Sequence, residues 1–261
     1  MSKSHIQISQ DRLKEVKSIL VSQPEPNGNN SPYHELAKKY NIQIDFRPFI
    51  KIEPVTVKDF RRQKINILEH SAVIFTSRNA VKHFFDMCKA VRVEVPVEMK
   101  YFCVSDQTAN YLQKFIVVRK RKIFTGKRTV ADLFPLIKKH KSEKYLFPCS
   151  NIRKEDLPDY MTENGYALTE MILYRTVASD LSDLSDVNYD ILAFYSPSGI
   201  SSLLENFPEF KQNDTRIAAF GPTTSQAVRD NGLILDIEAP LPNAPSMTGA
   251  LEAYIKLANK V

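Results

Sequence analysis

Small hydroxyl residues follow apolar, strand-like runs at several points of the chain, each time just before a helix-like segment. Two of these stretches resemble each other, "FTSRNAV" at 75–81 and "FYSPSGI" at 194–200. A Ser or Thr at such a junction can cap the helix, because its oxygen accepts an orphan N–H group of the first turn. The same helix N-termini attract carboxylates and phosphates. The chemistry that these residues predict is therefore anion binding.

The candidate binding residues share a position at the end of a predicted strand or at the start of the next helix. They are Thr76, Ser77, Thr108, Ser150, Asn151, Ser196, Ser198, Gly221, Thr223 and Thr224. In open parallel sheets, ligands bind beyond the carboxyl ends of the strands, where these loops fall. Helix capping alone would explain any one of these residues. Their matching positions in the two halves of the chain favour a ligand site.

A basic stretch, "RKRKIFTGKR" at 119–128, is the one strong shift in composition. Lys127 and Arg128 are its most interesting members, because they directly precede a predicted helix start at Thr129. We take Lys127 as a further candidate for binding an anion. The alternative is a solvated strand end and loop.

Motifs of several other chemistries are missing from the sequence. There is no GxxxxGK[ST] or GxGxxG phosphate loop and no GxSxG nucleophile elbow. The histidines have no metal-ligand spacing, so we expect no metal site and predict surface histidines at His5, His34, His70, His83 and His140. The three cysteines, Cys88, Cys103 and Cys149, are predicted to be free buried thiols.

Composition is ordinary for a soluble globular chain of 261 residues, with 43% hydrophobic and 25% charged residues. The net charge of +6 would steer anions, but it is too weak to indicate nucleic-acid binding by itself. No apolar run approaches the length of a membrane span. The N-terminal segment 1–17 lacks the apolar core of a secretory signal, and we expect it to fray, with one amphipathic turn as the alternative.

The elements that must position these residues alternate as βαβα along the chain, which predicts α/β architecture with parallel sheets and helices on both faces. Predicted strands include "SILVS", "SAVIFTS", "YFCVS" and "FIVVRK", and "TVADLFPLIKKH" at 129–140 is a predicted helix. The order restarts in the second half. Three pairs lie at nearly constant offsets: Ser77 and Ser196, Thr108 and Thr224, Thr129 and Ser246. A constant offset of about half the chain indicates a duplicated α/β unit.

Several motifs taken together resemble one family. "FTSRNAV", "LFPCSNIRKEDLP", "LYRTV", "FYSPSGI", "IAAFGPTTSQAVRDNG" and "APLPNAPSMTGALEAY" are similar, in this order, to the uroporphyrinogen-III synthases, in particular the bacterial ones. The similarity runs from about Lys17 to Lys256. Each motif is weak alone, and the ordered set is fairly specific.

The resemblance implies a cofactor-free lyase of tetrapyrrole and haem biosynthesis. Such enzymes convert hydroxymethylbilane to uroporphyrinogen III, losing water, closing the macrocycle and inverting ring D. The implied fold has two similar doubly wound α/β domains, a two-stranded linker and a ligand cleft between the domains. Carried onto this chain, residues 1–45 plus 178–261 form one domain and 46–177 the other, with linker strands at about 46–54 and 170–177.

The resemblance also assigns roles. Tyr174 matches the tyrosine favoured as acid for the leaving hydroxyl, and the candidate Ser, Thr and Gly residues match the family's cleft loops. From the residues alone, Tyr174 could equally be a core or linker tyrosine. Ser105 stands where the family often has glycine, which puts close backbone approach at that loop in doubt.

The expected partners are a polycarboxylate tetrapyrrole substrate and, transiently, the enzyme that supplies the bilane. No nucleic acid and no membrane are expected as partners. The free cysteines favour a reducing cytoplasm, and the resemblance implies a monomer. Two alternatives stay open. One is a non-catalytic two-lobed protein that binds an anion or a tetrapyrrole, and the other is a nucleic-acid-binding protein that uses the basic stretch 119–128.

Overall fold

A computed structural model describes residues 10–28, 31–117, 120–185 and 188–260. Its strands are β1 (Ser18–Val21), β2 (Gln43–Phe46), β3 (Ile50–Pro54), β4 (Ala72–Phe75), β5 (Lys100–Cys103), β6 (Ile123–Thr125), β7 (Tyr145–Ser150), β8 (Leu168–Ala178), β9 (Ile191–Phe194), β10 (Arg216–Phe220) and β11 (Leu235–Ala239). Its α-helices are α1 (Pro32–Tyr40), α2 (Val57–Arg62), α3 (Arg78–Ala90), α4 (Asp106–Leu112), α5 (Phe134–Lys139), α6 (Asp156–Glu163), α7 (Pro197–Asn206), α8 (Pro222–Asp230) and α9 (Met247–Ala258). Short 3₁₀ turns lie at Gln10–Arg12, Ile67–Glu69, Lys120–Lys122, Val130–Leu133 and Ser182–Leu184.

The chain divides into two compact units between Lys51 and Ile52 and again between Thr176 and Val177. Unit 1 comprises the described residues before the first division and after the second, and unit 2 lies between them. The divisions fall within β3 and β8, which are neighbouring strands. The domain boundaries that the resemblance implies, after residues 45 and 177, stay a prediction.

Unit 1 contains a five-stranded sheet in the order β11-β10-β9-β1-β2. All four neighbouring pairs run parallel. Alternate residues of β1 point to opposite faces: Ile19 and Val21 pack in the core that includes α1 and α9, and Leu20 packs in the core that includes α7. This alternation makes the sheet doubly wound, with a hydrophobic core on each face.

Unit 2 contains a six-stranded sheet in the order β3-β8-β7-β4-β5-β6. The pairs from β8 to β6 run parallel. If β8, β7, β4, β5 and β6 are equated with β2, β1, β9, β10 and β11, the two strand orders are the same. Cores again lie on both faces. The predictions of an α/β fold with parallel sheets and of a repeated unit are confirmed.

The helix caps follow the same duplication. Ser77 caps α3 and Ser196 caps α7, each accepting the N–H of the residue three positions later. Thr108 and Thr224 both occupy the third position of their helices, α4 and α8. The constant offsets in the sequence therefore mark equivalent turns in two copies of one unit.

One predicted strand is wrong. The run "FIVVRK" at 115–120 was expected to form the strand before the helix predicted at 129–140, and β6 instead lies at Ile123–Thr125. Phe115 and Ile116 pack against the core as part of the turn after α4, and the Phe115 N–H donates to Leu112 O. Burial in a turn explains their apolar character without a strand. Residues 118–119 lie outside the described ranges.

The predicted helix at 129–140 has two parts, the 3₁₀ turn Val130–Leu133 and then α5. The break coincides with Pro135 in the first turn of α5, where the missing N–H of proline costs no hydrogen bond. The expected fraying of the N-terminal segment 1–17 is wrong for residues 10–17, because Arg12 pairs with Asp236 at 2.8 Å and Val16 is buried in the core of unit 1. Residues 1–9 lie outside the described residues.

The cysteines lie in unit 2. Cys88, Cys103 and Cys149 are all buried and free, as predicted. Burial raises the pKa of each thiol to about 12. Because the thiolate is the reactive form, these side chains serve packing. Within the described ranges, no helix has the length and apolar character needed to cross a bilayer.

Candidate active site

The carboxyl edge of the unit 2 sheet carries the first group of candidate residues. β4 ends at Phe75, and half-buried Thr76 and Ser77 lead into α3. The Ser77 Oγ accepts the Ala80 N–H at 3.1 Å. The N–H groups of Arg78 and Asn79 have no acceptor within the helix, as in any first helical turn. This turn can therefore offer two amide donors and a hydroxyl to an external anion.

Tyr174 lies at the same edge, on β8. Its side chain is buried, and its hydroxyl is 3.4 Å from the Ser77 Oγ. Burial raises the pKa of Tyr174, and the hydrogen bond from Ser77 only partly offsets that rise. The phenol therefore keeps its proton at neutral pH and can donate it. A buried, protonated phenol beside an anion-binding turn is suited to assist a leaving hydroxyl group.

Ser150 and Asn151 adjoin Tyr174 through β7, because Ser150 pairs with Tyr174 in the sheet register. The Ser150 Oγ and the Asn151 Oδ1 are already used within the turn. The Asn151 Oδ1 accepts the Ser150 hydroxyl at 3.0 Å and the Thr176 N–H at 2.9 Å, and the Ser150 Oγ also accepts the Ile152 N–H at 3.3 Å. This network fixes the end of β8 near Tyr174, so support of the loop is its evident structural role.

Thr108 lies at the next loop, at the start of α4. It is buried, and its N–H and hydroxyl lie 3.4 Å and 3.3 Å from the Ser105 Oγ, respectively. Ser105 is the N-cap, with φ of −154°, which is extended backbone that any residue adopts. The departure from glycine at Ser105 therefore leaves the loop geometry intact and adds a cap.

The turn at Lys127 was expected to help bind an external anion, but its backbone amides are not open to one. Lys127 and Arg128 are exposed, and the amides at this N-terminus are occupied by a carboxylate of the chain itself. The Asp132 Oδ2 accepts the Arg128 and Thr129 N–H groups at 2.9 Å and 2.7 Å. These amides hold the pKa of Asp132 below its usual value. An external anion would have to displace Asp132, so Thr129 does not mark an open amide site.

Unit 1 repeats the first turn with a variation. The Ser196 Oγ accepts the Gly199 N–H at 3.3 Å, and Pro197 occupies the first helical position. Proline has no N–H, which leaves the amide of Ser198 as the donor of this turn. A Cβ on Gly199 would lie 3.2 Å from the Phe194 ring, so glycine permits the close packing of α7 on its strand.

The other candidate turn of unit 1 precedes α8. Gly221 has φ of +85°, a conformation that L side chains rarely adopt, and its N–H donates to Ala239 O at 2.6 Å. Thr224 is buried, and Thr223 is exposed. Of the two threonines, Thr223 is therefore the one accessible to a ligand.

Sequence reasoning missed a pair of tyrosines in unit 1. The hydroxyls of Tyr33 and Tyr195 are hydrogen-bonded to each other, and Tyr195 stacks on Phe220 with ring centroids 5.6 Å apart. Burial raises the pKa of both phenols. The pair lines a pocket of about 590 Å³ that Ser246 and Thr248 also line. The sequence feature that could have pointed to this pair is the position of Tyr195, directly before the candidate residue Ser196.

The histidines within the described residues, His34, His70, His83 and His140, are all partly exposed, so they lie at the surface with part of each side chain covered. His83 stacks on Tyr174 with ring centroids 4.9 Å apart. His5 lies outside the described residues. No group of three or more His, Cys, Asp or Glu side chains that could hold a metal occurs in the described part of the chain.

Comparison with known proteins decides the family. The family model described as uroporphyrinogen-III synthase HemD matches residues 31–249. The chain belongs to the uroporphyrinogen-III synthase family. The matched region contains every candidate residue of both units, so the motif resemblance is confirmed over most of the chain.

Two curated uroporphyrinogen-III synthases illustrate the relationship. The protein from Chlorobaculum parvum is 25% identical to the chain over 257 residues, covering 92% of the chain and 100% of that relative. The protein from Saccharomyces cerevisiae is 25% identical over 241 residues, covering 80% of the chain and 86% of the relative.

Solved uroporphyrinogen-III synthases share the fold. The structure from Helicobacter pylori has a TM-score of 0.60 at 18% identity and covers 92% of the chain and 99% of that structure. A mutant from Thermus thermophilus has a TM-score of 0.56 at 16% identity, and the match covers 94% of the chain and 100% of that structure. At these identities the likeness establishes the two-domain α/β fold.

Proposed function

We propose that the chain is a uroporphyrinogen-III synthase that converts hydroxymethylbilane to uroporphyrinogen III with loss of water. The observation that carries this proposal is the family match over residues 31–249, which includes the candidate turns of both units. The relative from Chlorobaculum parvum, matched over its whole length, bears the same name.

The substrate is a flexible polycarboxylate, which suits turns that offer amides and hydroxyls. In unit 2 we propose Thr76, Ser77 and the Arg78 and Asn79 amides as donors. In unit 1 we propose Ser196, Ser198, Gly221 and Thr223. The basis is the capping geometry, which leaves first-turn amides without intrahelical acceptors. Distributed donors of this kind can hold a folded bilane without a dominant charged residue.

The reaction needs one proton donor and controlled geometry. Tyr174 donates to the oxygen of the hydroxymethyl group, the C–O bond breaks, and water leaves. The pyrrole nitrogen supplies the electron pair, which produces an azafulvenium cation. This cation is attacked by the substituted carbon of ring D, giving a spirocyclic intermediate that fragments and recloses with ring D inverted. The proton released when the last pyrrole ring regains its aromaticity returns to the Tyr174 phenolate. The position of the Tyr174 hydroxyl, 3.4 Å from the Ser77 Oγ at the anion-binding turn, supports its assignment as the donor.

The selectivity required is modest. Unassisted closure gives the symmetric I isomer, so a hundredfold preference for III needs a barrier difference of about 2.7 kcal/mol. Positioning of the ends of the bilane can supply this difference. A short set of catalytic groups is therefore sufficient.

The remaining functions of the candidate residues stay proposals. Thr108, Ser150, Asn151 and Thr224 are assigned to the support of the binding turns, and Lys127 to attraction of the polyanion from an exposed position. A cytoplasmic location stays a prediction from the cysteines, and a monomeric state and transient contact with the bilane-forming enzyme stay predictions from the family resemblance.

A turnover measurement separates the synthase from a non-catalytic tetrapyrrole-binding protein. Freshly generated hydroxymethylbilane is given to the purified protein, and its consumption is compared with spontaneous closure. Consumption that rises in proportion to protein concentration supports the enzyme. Binding of the bilane with consumption at the spontaneous rate would contradict it.

A further inference from the structure

α3 contacts Tyr174 at two points. Its N-cap, Ser77, lies 3.4 Å from the phenol hydroxyl, and His83, farther along the same helix, lies against the face of the ring. The imidazole and phenol centroids are 4.9 Å apart, and the ring planes differ by 25°. Two contacts from one helix, on the oxygen and on the ring face, define both the position and the tilt of the phenol.

We infer that His83 is a positioning residue for Tyr174, whose stacked ring holds the phenol in the orientation that places its hydroxyl beside Ser77. The inference rests on the proposed function in so far as Tyr174 is the proton donor. Stacked aromatic rings favour a defined mutual geometry, so the imidazole face favours one orientation of the phenol ring.

The charge of His83 is set by its surroundings. Burial is the main cause that lowers its pKa, Lys82 lowers it further, and Asp86 opposes them. Lys82 and Asp86 are paired at 2.6 Å, Tyr111 of α4 acts on Lys82, and Cys149 of β7 acts on Tyr174. Because the pKa of His83 is lowered, the ring stacked on Tyr174 is neutral at neutral pH. A neutral ring suits a step that develops positive charge on the substrate, whereas an imidazolium would oppose it.

Two substitutions distinguish the effect of the stacked ring of His83 from the effect of its protonation. His83→Phe keeps a flat ring that cannot take a proton, and His83→Ala removes the ring. At neutral pH we expect His83→Phe to keep kcat within about twofold and His83→Ala to lose about tenfold, with KM little changed in both. The control is His70→Phe. His70 is a half-buried histidine of the same unit whose Nδ1 is hydrogen-bonded to the Asn66 carbonyl oxygen. An unchanged kcat in His83→Ala, or equal losses in both His83 variants, would overturn the inference.

The pH profile adds a test that a purely structural role would not move. As the pH falls from about 7.5 to about 5, wild-type kcat should decline relative to that of His83→Phe, because only the wild type gains an imidazolium. Parallel profiles for the two proteins would contradict the electrostatic part of the inference.

A double-mutant cycle tests whether His83 acts through Tyr174. Once the phenol hydroxyl is removed by Tyr174→Phe, adding His83→Ala should cost less than about twofold more in kcat. Full multiplication of the two single losses would show that His83 acts independently of Tyr174, which contradicts the inference.

The NMR signals of the histidine C2–H protons test the stacking of His83 on Tyr174 without relying on the proposed enzymatic function. The His83 signal, assigned by its loss in His83→Phe, should titrate below the usual histidine range. It should also lie upfield through the ring current of Tyr174 and move downfield in Tyr174→Leu. Both results are expected even if the chain turns over no bilane. An unshifted His83 signal that titrates normally would overturn the inference, whatever the turnover.

Discussion

The hydroxyl of Tyr174 lies 3.4 Å from the Ser77 Oγ, although the two residues are 97 positions apart in the chain. Ser77 also accepts the Ala80 N–H that caps α3. One hydroxyl therefore links the helix N-terminus proposed to bind a carboxylate and the phenol proposed to donate a proton. Because the two groups share this contact, binding and proton donation are expected to respond together to changes at Ser77.

Tyr174→Phe is expected to lower kcat by about a hundredfold, because it removes the proposed proton donor and keeps the aromatic ring. KM and the melting temperature should change little, since the hydrogen bond that is lost is long. Steady-state kinetics and thermal unfolding measure these quantities. The matched control is Tyr101→Phe, another buried tyrosine of unit 2. Wild-type kcat in Tyr174→Phe would remove Tyr174 from the mechanism.

Ser77→Ala and Ser196→Ala test the equivalence of the two caps. Each removes the side-chain acceptor for an amide in the first helical turn, so each should lower the free energy of unfolding by about 1 kcal/mol. Ser77→Ala should in addition lower kcat, because it also removes the contact to Tyr174. Urea unfolding and kinetics on both variants check this. Equal effects on kcat would contradict a special role for the link between Ser77 and Tyr174.

Asp132→Ala should reduce stability in a pH-dependent way. The amides of Thr129 and Arg128 lower the pKa of Asp132, so its carboxylate stabilises the fold above the unfolded pKa. That contribution is lost as the pH falls through the lowered pKa. Urea unfolding should therefore show a difference between wild type and variant at neutral pH that disappears in acid. Asp156→Asn, at an acidic residue in the first turn of α6, is the control. A difference that persists undiminished at low pH would contradict the assignment.

Tyr33→Phe and Tyr195→Phe should each cost about 1 kcal/mol of unfolding free energy, because each leaves one partly buried hydroxyl without its partner. The double variant removes both hydroxyls and should cost little more than either single change. Urea unfolding of all four proteins gives the coupling energy. Additive costs would mean that the two hydroxyls do not depend on each other.

Much of the fold could be predicted because its signals are local and occur twice. Ser77 and Ser196 each follow a buried strand and precede a helix, and the structure makes both of them caps. The cap at Thr129 was also within reach, since an acid three residues after a threonine is a familiar capping pattern. Recognising Asp132 in that role would have shown that the turn already holds a carboxylate.

The contacts around Tyr174 could not be predicted in the same way. Whether His83 lies on the phenol depends on the rotation of α3 against β8, which a single sequence does not specify. The error at 115–120 has a similar origin, because an apolar run reads alike whether it forms a strand or packs as a turn. In both cases tertiary packing decided the outcome.

The measurement that tests the central claim most directly is the isomer composition of the product. Hydroxymethylbilane is supplied to the purified protein without added metals or cofactors, and the products are oxidised and separated by chromatography. The account predicts mostly uroporphyrin III, with the type I isomer limited to spontaneous closure. Type I alone, formed at the rate seen without protein, would contradict it.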